Sequence, residues 1–145
     1  MATAPVKALP GLGAFDSHTH MDATGIGVDS LLDAARAAGI ARVVNVGCDL
    51  PSSRWSAETA AAHPEVYAAV AIHPNDLPVP EGGLPCSPDS PEGAGVLAEI
   101  ERLAGGSRVV AVGETGLDYY WHDTPPQAQR EWFRAHIEIA RRVGK

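Results

Sequence analysis

A chain of 145 residues with 45% apolar side chains can build one domain around a hydrophobic core, and it carries no low-complexity tract. A formal charge of −7 argues against a protein that coats nucleic acid with a broad basic surface, but not against a phosphate-bearing substrate, because bound divalent cations reverse the local sign inside a cleft. No stretch reaches the roughly 18 apolar residues of a membrane span and no apolar run follows the first ten residues, so a cytoplasmic protein without membrane contact or secretory signal is expected.

Residues 1–11 read as an N-terminal tail, and 12–145 as the folded unit. Gly13 to Ser17 read as a short strand running into His18. Asp29 is placed as the N-cap of a helix through Ala38, with Leu31, Leu32 and Ala35 on one side and Gly39 as its stop. Val43, Val44 and Val46 make a buried-type strand ending near Gly47; Ser52 or Ser53 then caps a second helix, closed by His63 and Pro64. Val66 to Ile72 is a third strand, followed by a loop from Pro74 to about Gly95 crowded with Pro, Gly, Ser and acids. Val96, Leu97, Ile100, Leu103 and Ala104 recur at helical spacing until Gly105 and Gly106. Val109 to Val112 is the fourth strand. The last helix has Thr124 as cap, Pro125 at its first position and Gln127 completing a capping box; Phe133, Ile137 and Ala140 form its expected core face, and Gly144 its stop.

This alternation, with near-continuous apolar strands, implies an α/β fold in which helices cover a parallel sheet. An open doubly wound sheet and half of a (β/α)8 barrel both fit, whereas a whole barrel needs about 200 residues or more.

His18 and His20 stand two apart where the first strand ends, so an extended chain points both to one face, where two imidazoles can share a cation. Asp16 lies on that face and could support a ligand. Glu114 follows the fourth strand between Gly113 and Gly116; it could bridge two cations about 3.5–4 Å apart, or be a solvated acid in a glycine-rich turn. His73, after the third strand, could donate to a phosphate, wall a pocket or simply close the strand. Tyr119, Tyr120 and Trp121 could stack on a base or pack as loop. Cys48 and Cys86 lie in no CxxC pair and read as reduced thiols, Cys48 as a small buried hydrophobe. His63, His122 and His136 have no partner the sequence identifies. Joint placement carries more weight than any single residue: His18, His20, His73 and Glu114 all follow strands, which in a parallel sheet is one rim.

Phe15-Asp16-Ser17-His18-Thr19-His20-Met21-Asp22, Ala71-Ile72-His73-Pro74 and Val112-Gly113-Glu114-Thr115-Gly116-Leu117-Asp118-Tyr119-Tyr120 resemble, in this order, the motifs of TatD-type metal-dependent deoxyribonucleases. Gln129-Arg130-Glu131 through Phe133 to Ala140 is similar to the helix that follows the glutamate in that family, so the resemblance covers essentially the whole chain after Leu12. It implies the N-terminal half of a (β/α)8 TIM-type barrel of the metal-dependent hydrolase superfamily, with four parallel strands alternating with helices. It also implies two divalent metal ions per complete site (Mg, Mn or Zn), and a water they activate to attack a DNA phosphodiester. His18 and His20 would be ligands of one cation and Glu114 the bridge to the second. His73 would lie near the scissile phosphate, making Glu114 and His73 the expected catalytic residues. The implied substrate is DNA, single-stranded or at 3′ ends, and D-aminoacyl-tRNA deacylation has also been attached to the family.

The family's pattern continues with two histidines after the fifth and sixth strands and an aspartate after the eighth. This chain stops at Lys145, where the fifth strand is due, so a truncated form inactive alone is the expectation. Two other readings stay open: an amide or non-nucleotide ester hydrolase of the same superfamily, and a non-catalytic half-barrel that self-associates through its open edge.

Overall fold

The computed structural model of the chain describes residues 13–80, 83–121 and 124–145; the expected tail, Leu12 and His122 lie outside these. In chain order it comprises strand β1 (Ala14–Thr19), a single 3-10 turn (Met21–Thr24), helix α1 (Val28–Ala37), β2 (Ile40–Val46), α2 (Leu50–Ala62), β3 (Val66–Val70), α3 (Pro91–Ala104), β4 (Val109–Val112) and α4 (Pro126–Val143). All neighbouring strands pair in parallel, in the order β1-β2-β3-β4. A doubly wound sheet reverses its strand order at a switch point. This order never reverses, which is the arrangement of a barrel segment and decides between the two architectures the sequence allowed.

Alternation along the strands sorts side chains into two layers. Val43, Val66, Ala68, Val70 and Val109 face the helices and join Leu32, Ile100, Leu103, Trp132 and Ile139 in the main core. Val44, Val46 and Ala69 face the other way, with Tyr67 and Ala111 packed against them. That second face is concave and more open. Phe15 on it stacks on Tyr67 with ring centroids 6.0 Å apart yet stays 51% exposed. Among the described residues no helix is long and apolar enough to cross a membrane.

Helix starts differ from the sequence reading in four places. The cap of α1 is Gly27, in extended conformation, and Asp29 sits inside the first turn, where its carboxylate faces the positive end of the helix dipole. Asp49, not Ser52 or Ser53, caps α2: it accepts the Ser52 N–H at 2.8 Å, and the Ser52 hydroxyl accepts the Asp49 N–H at 3.0 Å. Helix α3 begins at Pro91, capped by Ser90, and so absorbs Gly93 and Gly95 from the expected loop. Gly93 is needed there because a Cβ would meet the Ser87 carbonyl oxygen at 2.1 Å. In α4 the cap is Pro125 rather than Thr124, and Gln127 bonds forward to Glu131 instead of closing a box. With two prolines in succession the helix starts one residue later, leaving the Thr124 hydroxyl out of reach of its first amides. The stops are as expected, with Gly39 at φ 85° and Gly144 at φ 71°.

The inward face of α4 is Gln129, Trp132, His136 and Ile139, not Phe133, Ile137 and Ala140; Ile137 is 40% exposed. An apolar-only count misplaces the stripe because two of its buried members are polar. His136 is fully buried, accepts the Ile72 N–H on Nε2 at 3.1 Å and holds the Trp132 carbonyl with Nδ1 at 2.8 Å. Burial pulls its pKa below the ordinary 6.5, against the opposing pull of the Trp132 carbonyl.

The unfolded chain therefore takes up this proton first as pH falls below 6.5, so the folded state keeps its advantage above that pH and loses it progressively below. The urea midpoint is expected to fall between about pH 7.5 and 5.5, and to fall less in His136→Gln, which stays neutral. An equal slope in both would remove His136 as the cause. On the same helix, Ile139→Ala is expected to cost about 2–5 kcal/mol and Ile137→Ala less than about 1 kcal/mol in urea unfolding.

Candidate metal centre

The C-terminal ends of the strands bring His18, His20, His73 and Glu114 together, as the strand alternation predicts. His18 is carried on β1, and the Asp16 carboxylate accepts the His18 backbone N–H at 3.1 Å, so Asp16 steadies this strand end rather than a ring. His20 follows the strand, and its Nδ1 lies 2.9 Å from the Val46 carbonyl oxygen. A carbonyl can only accept, so Nδ1 carries the ring proton and Nε2 presents a free lone pair. That Nε2 lies 3.1 Å from His18 Nε2 and 3.6 Å from Glu114 Oε2, while His18 Nε2 is 3.1 Å from the same oxygen.

Glu114 is brought to these rings by a backbone that reaches across the end of β3. Gly113 N–H donates to the Val70 carbonyl and Glu114 N–H to that of Gly47, both at 3.1 Å. The Gly113–Glu114 peptide is cis. The two imidazole nitrogens and the carboxylate oxygen could hold one cation: all three lie within 4.8 Å of one another. A metal about 2.0–2.2 Å from nitrogen and oxygen ligands sets those ligands roughly 3–3.5 Å apart in tetrahedral or octahedral geometry. The donor set fits zinc, and with its carboxylate it also admits manganese.

His73 is held in the opposite sense. Its Nδ1 accepts the Asn75 N–H at 3.2 Å, which leaves the proton of the neutral ring on Nε2, and Nε2 faces Glu114 Oε1 at 3.6 Å. Asp76 Oδ2 lies 3.6 Å from Nδ1. His20 is thus arranged to offer a lone pair and His73 to offer a hydrogen, with Glu114 between them.

Several supports escaped the sequence reading. The Ser53 hydroxyl bonds both the N–H and the carbonyl of Ala71, and His136 takes the next amide, so the segment entering His73 is anchored from behind. Gln129 accepts the Asp118 N–H at 2.8 Å and donates to the Asp118 and Thr124 carbonyls at 2.9 and 3.1 Å. The Asp118 carboxylate accepts from Asn75 Nδ2 at 2.9 Å, tying the His73 loop to the Glu114 loop. Polar residues on helix faces carry no periodic signal, and the sequence singled out Gln129 only as part of the stretch that resembles the family's helix after the glutamate. His63 sits apart, 3.8 Å from Asp29.

Tyr119, Tyr120 and Trp121 are 47%, 78% and 58% exposed; Tyr120 and Trp121 meet edge to face with ring centroids 4.9 Å apart, and Arg130 donates to the Tyr119 hydroxyl at 3.3 Å. Cys48 is half-buried rather than a core hydrophobe, with Sγ 3.9 Å from both His20 Nδ1 and Glu114 Oε2. The site opens onto a groove of about 330 Å³ along the concave face, lined by Ser17, Val44, Val46, Ala69 and Ala111.

Residues 15–145 match the family model described as TatD related DNase. A Mycobacterium tuberculosis protein named as an uncharacterized metal-dependent hydrolase TatD is 44% identical over 90% of this chain and 48% of its own. A Klebsiella pneumoniae protein named 3′-5′ ssDNA/RNA exonuclease TatD is 31% identical over 77% of this chain and 38% of its own. The crystal structure of YJJV, a TatD homolog from Escherichia coli K12, superposes with a TM-score of 0.72 at 21% identity, over 90% of this chain and 47% of that one. The chain spans about half the length of the curated relatives it matches.

Burial, and then the neighbouring Glu114 carboxylate, push the Cys48 thiol up to about 11. Its alkylation by iodoacetamide, followed by mass spectrometry, is expected to keep accelerating well above pH 9. A plateau near pH 9 would show a thiol that feels neither burial nor Glu114.

Proposed function

Because this chain belongs to the TatD related DNase family, we propose that its rim is the first part of a divalent-metal site for hydrolysing phosphodiesters of single-stranded nucleic acid. Residues 12–145 then form the N-terminal half of the family's barrel. The observation that carries this reading is the opposed pair of imidazoles around Glu114. Val46 holds His20 with its lone pair toward Glu114, and the Asn75 amide holds His73 with its N–H toward it. Metal ligation needs the first arrangement and hydrogen bonding to a phosphoryl oxygen needs the second.

His18, His20 and Glu114 would hold the cation. When bound, a divalent cation supplies Lewis acidity that polarises a phosphoryl oxygen and makes water acidic enough to attack near neutral pH. The other tasks fall to side chains. His73 Nε2–H donates to a phosphoryl oxygen and stabilises the charge that grows there. Glu114 Oε1, 3.6 Å away, keeps that ring directed at the site. Glu114, Asp76 and Asp118 make the rim acidic, and a polyphosphate approaches such a rim only when cations offset the repulsion. The exposed Tyr120 and Trp121 faces suit unpaired bases, each stack being worth about 1–3 kcal/mol without sequence preference. The 3′-5′ ssDNA/RNA exonuclease name of the Klebsiella relative supports the same substrate class.

The test is cleavage of a labelled single-stranded oligonucleotide with Mn²⁺, by the 145-residue chain and by a form extended to the relatives' length. The extended form is expected to be active, with His20→Ala and Glu114→Ala each losing at least about 100-fold. His73→Ala is expected to lose about 10²–10³-fold in kcat while Mn²⁺ affinity is kept. Activity on amide or carboxylic ester substrates but not on oligonucleotides would sink the phosphodiester reading. Full activity of the 145-residue chain would show that His18, His20 and Glu114 need no ligands from elsewhere in the barrel.

A further inference from the structure

We infer that Asn45 is a positioning residue for His20, setting the ring for cation binding from the far side of the sheet. The inference rests on the metal reading of His18, His20 and Glu114. Asn45 is an amide one residue before the end of β2, among Val43, Val44 and Val46, and it is fully buried on the helix side of the sheet. An amide there needs a reason, since a buried polar group without partners costs far more than a valine in its place.

Its partners supply one. Asn45 Oδ1 accepts the Met21 N–H at 2.7 Å, and Nδ2 donates to Ser56 Oγ at 2.7 Å and approaches Asp22 Oδ1 at 3.4 Å. Ser56 Oγ in turn donates to the Ser52 carbonyl at 2.7 Å, so the amide is itself braced by α2. Met21 is the residue directly after His20 and opens the 3-10 turn, with His20 as the residue capping that turn. The next residue along β2, Val46, receives the His20 ring at Nδ1. Two consecutive residues of one strand therefore grip His20 at two points: Asn45 fixes the backbone just beyond it, and Val46 fixes the ring. With both in place, His20 Nε2 is aimed at His18 and Glu114 with a definite tautomer. Without the Asn45 bond the Met21 amide is freed, the turn can shift, and the Nδ1–Val46 bond loses its geometry. Side chains that orient a metal-binding histidine in this indirect way typically change metal affinity 10–100-fold when removed.

The test is titration of Zn²⁺ alone into the 145-residue chain and its Asn45→Ala, Ser56→Ala and His20→Ala variants by calorimetry, with circular dichroism to show that each is folded. The ring ¹⁵N shifts of His20 report its tautomer independently of any activity. Asn45→Ala is expected to bind Zn²⁺ about 10–100-fold more weakly and to lose the pure Nδ1–H signature. Ser56→Ala, which keeps the Oδ1 acceptor but removes its brace, is expected to fall in between. A folded Asn45→Ala chain with the parent's affinity and tautomer overturns the inference. Should Asn45→Ala not fold, a Ser56→Ala chain indistinguishable from the parent overturns it equally. A parent sequence that binds no Zn²⁺ either as the 145-residue chain or in the form extended to the relatives' length, or a His20→Ala chain that binds it as the parent does, removes the metal reading itself. That result is recognisable because no Asn45 variant enters it.

Discussion

Past the last rung of the sheet, some rim amides still bond across strand ends, as Gly113 does to Val70 and Glu114 to Gly47, but other backbone groups there have no strand partner. Buried amides and carbonyls must find partners, and here polar side chains behind and beside the rim supply them. Asn45 takes the amide of Met21, Ser53 takes both polar groups of Ala71, His136 takes the amide of Ile72, and Gln129 takes the amide and carbonyl of Asp118. Each clasped residue lies a few positions before or after one of the rim residues His20, His73 and Glu114. The requirement to satisfy backbone groups is thus also what holds His20, His73 and the Glu114 loop in place.

The chemistry of the rim depends on which atom of each ring is already engaged. An imidazole whose Nδ1 faces a carbonyl and one whose Nδ1 faces an amide become different reagents, although the side chain is the same. His20 and His73 are such a pair, with Glu114 close to both. Asp76 and Asp118 stand on the same rim and the chain carries −7 overall, so the potential there favours cations over anions.

The concave face beneath the rim obeys a different constraint. Its small cluster of Val44, Val46 and Ala69 is flanked by a half-exposed Phe15 and by Val110 at 45% exposure, whereas the helix-side core leaves Val66, Val70 and Ile100 with no accessible surface. Closed barrels fill this interior with side chains from all their strands. The likeness to a TatD homolog covers 47% of that chain.

By itself the sequence determined the alternation of strands and helices, the parallel sheet, and the common rim of His18, His20, His73 and Glu114. All of these come from local periodicity and from the rule that parallel strands end on one side. His-x-His was legible as well, because its spacing along a strand sets one direction, while the glutamate motif was legible through its resemblance to a known family. Tertiary structure decided which end of each imidazole is a donor, since that depends on a carbonyl 26 residues away for His20 and an amide two residues on for His73. It decided the inward face of α4, where His136 is buried against the distant amide of Ile72 and Gln129 against the backbone of the segment leading into the helix. It also decided that Asn45, a polar interruption in a valine strand, is a bond to the residue after a rim histidine. Hydrophobic pattern tells where a side chain is buried for being apolar. A side chain buried to satisfy another residue's backbone can be recognised only once both have been brought together.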